Sequence, residues 1–360
     1  MMGHVFTLYC DLFRATPAPH RNQIRHIDNA GGQDMKHAEC LALSDYTIDR
    51  AADILRAGGL VAFPTETVYG LGGDACNGDA VAAIFAAKGR PAFNPLISHV
   101  ATVDAAFELG IETAAARALA DAFWPGPMTL ILHRQPDCPI ARLTSAGLDR
   151  IALRVPAHKG ACQLLRHFGG PVAAPSANPS GRISPSRAAH VMAGLGNAID
   201  LVIDDGPCSS GVESTVINAS DASATILRPG GVTRTSIAGC LAAAGLQLAN
   251  TDDTVTTPDA PVSPGQLASH YAPAAQLVMN VTTATKGMEL IGFGPTGGHG
   301  QLDLTLSAAG DDVEAAANLF DMLHAADAAG AKVIGVAPVP DTGLGEAIND
   351  RLRRAAAPRP

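Results

Sequence analysis

Charge is scarce in this chain. Only 16% of its 360 residues are Asp, Glu, Lys or Arg, 4% are aromatic and one is Trp, whereas 47% are hydrophobic. Such a composition belongs to a folded protein with a large core, not to a disordered or fibrous one. Cations are the scarcer sign, 25 against 34 carboxylates, for a formal net charge of −9. Coating of nucleic acid rests on many Lys and Arg contacts to phosphate, so general polyanion binding is excluded while a local basic patch is not. The seven cysteines (Cys10, Cys40, Cys76, Cys138, Cys162, Cys208, Cys240) form no CxxC pair and are odd in number. Neither a disulfide framework nor a zinc site is indicated, and a reducing, cytoplasmic setting fits. No apolar run reaches the roughly 18 residues that cross a bilayer, so no membrane contact is expected.

Two nucleotide-binding signatures are also missing. There is no GxxxxGK[ST], and no GxGxxG sits between a strand and a helix; Gly292–Gly297 (GFGPTG) comes nearest, but Pro295 follows its second glycine and no ribose-binding acid sits at the right distance. Any nucleotide site must therefore be assembled from separate loops.

The length favours two domains. Residues 1–34 mix His, Gly and Pro without helical period or the continuous apolar core of a signal peptide, and a poorly ordered tail is expected over 1–45. From about Tyr46 short β-rich runs alternate with alanine-rich helices, an α/β pattern. Strands are predicted at Leu60–Phe63, Leu96–Val100, Thr129–His133, Ile151–Val155, Val172–Ala174, Leu201–Asp204, Glu213–Asn218 and Thr225–Leu227. Helices are predicted over 79–88, with Asp79 as N-cap, and near 112–123, 159–168 and 185–194. The polar, Thr- and Pro-rich run 250–264 reads as a linker. Beyond it Leu290–Phe293, a helix over 311–329, the strand Lys332–Val336 and a helix over 344–357 make a small βαβα unit. The expected organisation is a first domain over 46–248, a linker over 249–275 and a second domain over 276–360.

Four segments carry chemistry. Ala86–Leu96 (AAKGRPAFNPL) sets Lys88 and Arg90 about a glycine, in a loop stiffened by Pro91 and Pro95. Two readings are open: cations at a helix C-terminus serving its dipole, or an ammonium and a guanidinium awaiting a polyphosphate. Pro171–Ser184 runs from a short apolar strand into small polar residues, as α/β folds build ligand loops at strand carboxyl ends. There Ser176, Asn178 and Ser184 can donate to phosphate or ribose oxygens, or simply make a turn. In Phe63–Gly72 (FPTETVYGLG) Thr65 and Thr67 face the same side if the extended backbone continues, lining a pocket or an exposed strand face. Ile151–Pro156 (IALRVP) sets Arg154 inside an apolar strand, where it needs an acidic partner or a ligand carboxylate.

In this order, FPTETVYGLGGDA, the KxR of Lys88 and Arg90, NPL, WPGPMTLIL, ALRVP, the SxN of Ser176 and Asn178, GVESTV and LRPGG resemble the YrdC/Sua5 family, the threonylcarbamoyl-AMP synthases of tRNA modification. SPGQLASHYAP (Ser263–Pro273) and the terminal unit resemble the extension of the Sua5 type. The resemblance covers residues 46 to 360. It implies a YrdC-like twisted, open, mixed sheet with helices and a small Rossmann-like α/β C-terminal domain. The implied reaction joins L-threonine, bicarbonate or CO2, and ATP into threonylcarbamoyl-AMP and pyrophosphate. A separate transferase then uses the product to make N6-threonylcarbamoyladenosine at position 37 of tRNA.

By the same resemblance Lys88 and Arg90 are catalytic. The nucleotide set comprises Lys88, Arg90, Asn94, Arg150 through its backbone, Ser176, Asn178, Ser184, Arg228 and Tyr271. The threonine set comprises Thr65, Thr67, His99, Arg154, Ala174 through its backbone, and Ser214, with Arg154 taking the amino-acid carboxylate. Mg2+ is expected with the ATP phosphates and no protein-built metal site. His270 and Tyr271 would close over the nucleotide as a lid, protecting a water-sensitive intermediate. The rival expectation is a double-stranded RNA or tRNA binding module acting in translation, which the acidic charge weakens. For residues 1–34 two readings are open: a loose tail, or sequence upstream of a true start at Met35. Intact-mass spectrometry of the native protein decides between them, and a mature chain beginning before Met35 removes the second.

Overall fold

The computed structural model describes residues 37–221, 223–249 and 270–358. Among them ten strands form one mixed sheet: β1 (Glu39–Ala42), β2 (Val61–Phe63), β3 (Gly70–Asp74), β4 (Ile97–His99), β5 (Met128–His133), β6 (Arg150–Arg154), β7 (Val172–Ala173), β8 (Leu201–Asp204), β9 (Thr215–Asn218) and β10 (Thr225–Arg228). Their order is β1-β8-β2-β3-β7-β4-β6-β5-β9-β10, parallel at β1/β8, β2/β8, β4/β6 and β5/β9 and antiparallel elsewhere. Seven helices belong to this part: α1 (Asp45–Arg56), α2 (Gly78–Lys88), α3 (Val103–Leu109), α4 (Ala114–Phe123), α5 (Lys159–Phe168), α6 (Ala188–Leu195) and α7 (Arg234–Ala243). None of the described helices is long and apolar enough to cross a membrane.

Strand alternation divides the core. In β2, Val61 and Phe63 join α1 and α5 on one face while Ala62 joins the larger cluster of α2, α3, α4, α6 and α7 on the other; Leu201 and Ile203 against Val202 repeat the split in β8. On the α1/α5 face the cover stops partway along the sheet. Beyond β7 that face carries only a small cluster of Ile97, Ile131, Ala152 and Val216, to which no described helix contributes. Two residues along their strands from Ile97, Ala152, Ile131 and Val216, and so on the same face, stand His99, Arg154, Thr129 and Ser214.

A second sheet is wholly parallel, ordered β11 (Gln276–Met279), β13 (Val333–Val336), β12 (Met288–Ile291), with α8 (Asp312–Ala328) crossing from β12 to β13 and α9 (Gly345–Ala356) following. Its core takes in Val68, Ile183 and Val212 from the first part of the chain, and Tyr271 just ahead of β11. The unit therefore opens one strand, β11, before the βαβα expected from sequence.

Several expectations are corrected. The tail was expected to reach residue 45, yet β1 pairs in parallel with β8, and Ser44 caps α1 by accepting from the Thr47 backbone N–H. A four-residue, mostly exposed edge strand has too little apolar alternation to be read. Helix α2 is capped by Asn77, whose Oδ1 accepts from the Asp79 and Ala80 N–H groups, leaving Asp79 in the first turn, where its charge suits the dipole. The glycine-rich Gly70–Asp74, expected as loop, is strand β3, a composition that strand propensity disfavours. Most of the linker expected over 249–275 lies outside the described residues.

The second unit docks on the first along α8. Asp321 accepts from Ser186 Oγ and, at 2.6 Å, from Arg187 Nε; His324 Nε2 lies 3.1 Å from the Ser184 carbonyl; and the His190 and His324 rings stack with centroids 3.7 Å apart. Burial, and then repulsion by His324, hold His190 down to about 4 against the pull of Asp321; burial lowers His324 as well. The folded state thus takes up these protons later than the unfolded chain, whose histidines titrate near 6.5, so stability present above that pH is lost as pH falls. The thermal midpoint is expected to drop between about pH 6.5 and 4. His190→Gln should flatten that dependence, as differential scanning fluorimetry across the range would measure.

Candidate active site

The first wall is the turn between β2 and β3. Thr65 Oγ1 accepts from the Thr67 and Val68 backbone N–H groups, both at 3.2 Å, donates to the Val68 carbonyl, and lies 2.8 Å from Thr67 Oγ1. The two hydroxyls meet because the chain turns back on itself, not because an extended strand continues as expected. Arg154, at the end of β6 and paired across to His99 of β4, reaches this turn. Its Nε donates to the Gly126 carbonyl at 3.2 Å, Nη1 to Thr67 Oγ1 at 3.0 Å and Nη2 to Glu66 Oε1 at 2.7 Å. Of the two partners open to a buried arginine, the acidic one is present. Burial pushes the Glu66 carboxyl up, but Arg154 and two backbone N–H groups outweigh it and hold it below the usual carboxylate range. Burial, then Arg154, push His99 down to about 3, so its ring is neutral, and its Nδ1 has no partner.

The second wall begins at the end of α2. Gly89, in the left-handed region at φ 59°, lets its own N–H reach the Ala86 carbonyl and the Arg90 N–H reach that of Phe85. This glycine closure satisfies the last helical carbonyls through backbone alone. Lys88 is therefore not needed there. Its Nζ instead donates to the carbonyls of Ser176 and Asn178, while Arg90 donates to the carbonyls of Asn94 and Pro95. Both cations are buried, at 3% and 9% exposure, and among the described residues neither has a carboxylate partner. Burial, then Arg90, pull Lys88 well below its ordinary value, and burial brings Arg90 to about 10. Beside them Asn94 is fully buried with neither amide atom partnered, and Asn178 Oδ1 is also unpartnered.

The third wall comes from β9, β10 and the second unit. Arg228 donates from Nε and Nη2 to the Ser214 carbonyl, and Ser214 Oγ lies 2.7 Å from Thr129 Oγ1. Ser184 Oγ donates to Glu213 Oε1 at 2.5 Å. His270 and Tyr271 pack edge to face, and Tyr271, with φ at 63°, is stacked 5.8 Å from Phe320 of α8. Burial, then Arg90, Lys88, Arg228 and Arg351, pull His270 well below its ordinary value; its Nδ1 is unpartnered.

These walls line a partly open cavity with about 50 Å3 of space for water. All six residues of the predicted threonine set line it (Thr65, Thr67, His99, Arg154, Ala174, Ser214), as do Arg90, Ser176, Arg228 and Tyr271 of the nucleotide set. Lys88, Asn94, Asn178 and Ser184 do not line it but are buried close by: Asn94 and Asn178 hold Arg90 and Lys88 through their carbonyls, and Ser184 donates to the lining Glu213. Arg150, expected through its backbone, does not line the cavity. Its side chain is part-exposed, 3.4 Å from Asp221, at the far end of β6 from Arg154, and four residues of strand separate the two by about 13 Å. Sequence reasoning also missed Glu66, Thr129, Glu213 and Arg351. The first three lie inside quoted motifs, but nothing in the pattern pairs Glu66 or Glu213 with an arginine.

The sheet and cavity define a small-ligand-binding α/β protein whose inner wall is built for an anion. A family model described as telomere recombination, covering the Sua5, YciO and YrdC proteins, matches residues 53–230, and one described as threonylcarbamoyl-AMP synthase, C-terminal domain, matches residues 232–357. The threonylcarbamoyl-AMP synthase of Bacillus subtilis is 40% identical over 335 residues, covering 89% of this chain and 95% of its own length, and that of Pyrococcus abyssi is 40% identical over 331. The crystal structure of P. abyssi Sua5 complexed with L-threonine superposes with a TM-score of 0.78 at 36% identity, over 89% of this chain and 97% of that one. The chain belongs to the Sua5-type threonylcarbamoyl-AMP synthase family.

Arg154 depends on Glu66 for its counter-charge. Glu66→Ala is expected to cost about 3 kcal/mol of unfolding free energy, the lower end for breaking a buried pair. A urea midpoint unchanged from wild type would show that the pair is not needed.

Proposed function

We propose that this chain is an L-threonylcarbamoyladenylate synthase acting in the cytoplasm, with L-threonine, bicarbonate or CO2, and ATP as substrates. One observation carries this: Lys88 and Arg90 are buried with neutral carbonyl partners only, among the unpartnered amide and imidazole atoms of Asn94, Asn178 and His270. Buried charge without counter-charge is costly, and a triphosphate would supply both the charge and the acceptors. Two N–H groups of Arg154, one on each terminal nitrogen, remain after its three bonds. That pair matches a carboxylate fork, and the neighbouring Thr65 and Thr67 hydroxyls suit a hydroxylated amino acid.

In the reaction the threonine amine adds to CO2, losing a proton to give a carbamate. A carbamate oxygen then forms a bond to the α-phosphorus as the bond to pyrophosphate breaks. Nucleophile and electrophile are both anionic, so the protein's task is neutralisation and alignment, not covalent catalysis. Arg90, Lys88 and Arg228 would face the phosphates while Arg154 orients the amino acid from the opposite wall. Bound with the nucleotide, Mg2+ would supply further charge neutralisation at the phosphates, held by the nucleotide and not by side chains of this chain. Among the described residues no group of three or more His, Cys, Asp or Glu side chains converges to hold a metal. Glu66 and Glu213 are already committed to Arg154 and Arg351.

The cavity holds only a few waters, each needing roughly 10–15 Å3 on the same measure. ATP therefore enters after His270 and Tyr271 move aside, which gives that pair its lid role; residues 263–269 of the expected lid lie outside the described residues. The product would pass to a transferase that modifies tRNA.

Mass spectrometry of reactions with ATP, L-threonine and bicarbonate should find threonylcarbamoyl-AMP; its absence overturns the assignment. In Lys88→Ala the KM for ATP should rise by at least about tenfold, with threonine affinity unchanged. Phosphate would raise the depressed pKa values of Lys88 and His270, so any proton exchange linked to ATP binding at these groups should be an uptake and not a release. Titration calorimetry in buffers of different ionisation enthalpy reads that uptake.

A further inference from the structure

One fully buried cation has no part in the reaction described above. Arg351 lies on α9, at the end of the chain farthest in sequence from the Thr65–Thr67 turn, and is 0% exposed, the largest fully buried side chain among the described residues. Arginine is almost never buried without a partner. Its partners are informative. Nε donates to Glu213 Oε2 at 2.7 Å, Nη1 to Asp350 Oδ2 at 2.6 Å, and the guanidinium carbon sits 5.3 Å from the centroid of the Tyr271 ring. Nη2, equally buried, has no acceptor among the described residues.

Glu213 and Tyr271 both line the cavity. The second oxygen of Glu213 accepts from Ser184 Oγ. One carboxylate therefore ties three things together: the Pro171–Ser184 loop, the strand-end loop that carries Ser214, and the last helix of the chain. The loop around Glu213 has little freedom otherwise. A Cβ on Gly211, at φ 68°, would stand 2.1 Å from the Ala316 carbonyl oxygen of α8, so the backbone of the second unit presses directly on it. Tyr271 is gripped on both sides, by Arg351 and by Phe320.

A contact needed only to glue two units together would do as well or better with apolar side chains, because desolvating an ion pair offsets much of its attraction. Arg351 instead leaves a donor unsatisfied, a further cost, and directs its charge at two cavity-lining side chains. We infer that Arg351 is a positioning residue for the nucleotide half of the site: it orients Glu213, and through it Ser184, and fixes the Tyr271 ring, so that the C-terminal unit completes the active site. This rests on the nucleotide reading of the cavity given above. The effect is expected chiefly on ATP, since Arg154, Thr65 and Thr67 are held by Glu66 and their own turn, and of the threonine set only Ser214 adjoins Glu213.

The test uses the full chain. Arg351→Met alone strands the Glu213 charge and can unfold the protein, so it is paired with the double variant Glu213→Gln/Arg351→Met, which removes both charges, and with Arg351→Lys, which keeps a cation but not the planar fork. Circular dichroism and thermal midpoints establish folding. ATP affinity is measured by calorimetry, and kinetics by threonine- and bicarbonate-dependent pyrophosphate release. In the folded double variant the Kd and KM for ATP are expected to rise about tenfold or more, with threonine affinity within about twofold of wild type and Arg351→Lys recovering part of the loss. Wild-type ATP affinity in the folded double variant overturns the inference, and so does a loss confined to kcat, which is what a reduced folded fraction alone would give. If wild type itself releases no threonine-dependent pyrophosphate, the synthase assignment fails; the ATP titrations still judge Arg351.

Discussion

Like charges held together away from water set the terms for this structure. Lys88, Arg90 and Arg228 are all buried, and they depress one another: Arg90 lowers Lys88, and Arg228 lowers Arg90. Such a cluster persists only where the surrounding fold holds it, because repulsion is stronger in a medium of low dielectric. Among the described residues neither Lys88 nor Arg90 is paired with a carboxylate, which would occupy the place of an incoming anion. The chain uses backbone carbonyls, which accept hydrogen bonds without cancelling charge, and keeps its carboxylates at one remove. Glu213 influences Arg228 but is tied to Arg351; Glu66 is tied to Arg154.

The sheet supplies the rigidity. Pairing of β4 with β6 brings His99 beside Arg154, and the parallel pairing of β5 with β9 brings Thr129 near Ser214, so the second half of the sheet delivers four polar side chains to one face. On that face the helical cover of α1 and α5 has ended, and the second unit supplies what covers it. The arrangement resembles a half-roofed sheet whose remaining roof is a separate piece carrying its own aromatic and cationic side chains.

Much of the fold could be read from sequence where a run of residues was apolar and short. Leu201–Asp204 and Ile151–Val155 are examples. Gly70–Asp74 could not, since glycine gives no periodic signal, and Glu39–Ala42 was too brief and exposed. The site divided along the same line. Lys88 and Arg90 stood out as cations between prolines, and Arg154 as a charge inside an apolar strand. Their partners did not stand out: Glu66 lies 88 positions from Arg154 and Glu213 lies 138 from Arg351, and only three-dimensional folding selects those pairs from many carboxylates.

The smallness of the cavity bears on time as well as on shape. A chamber of about 50 Å3 cannot exchange a nucleotide or an adenylate by diffusion through a fixed opening. If His270 and Tyr271 act as the lid proposed above, each catalytic cycle includes at least one parting of that segment from the sheet. The frequency of that parting is a ceiling on turnover, whatever the speed of the chemistry beneath it. Substitutions along the α8 seam, far from any reacting atom, can then alter how fast the enzyme works without altering how well it binds.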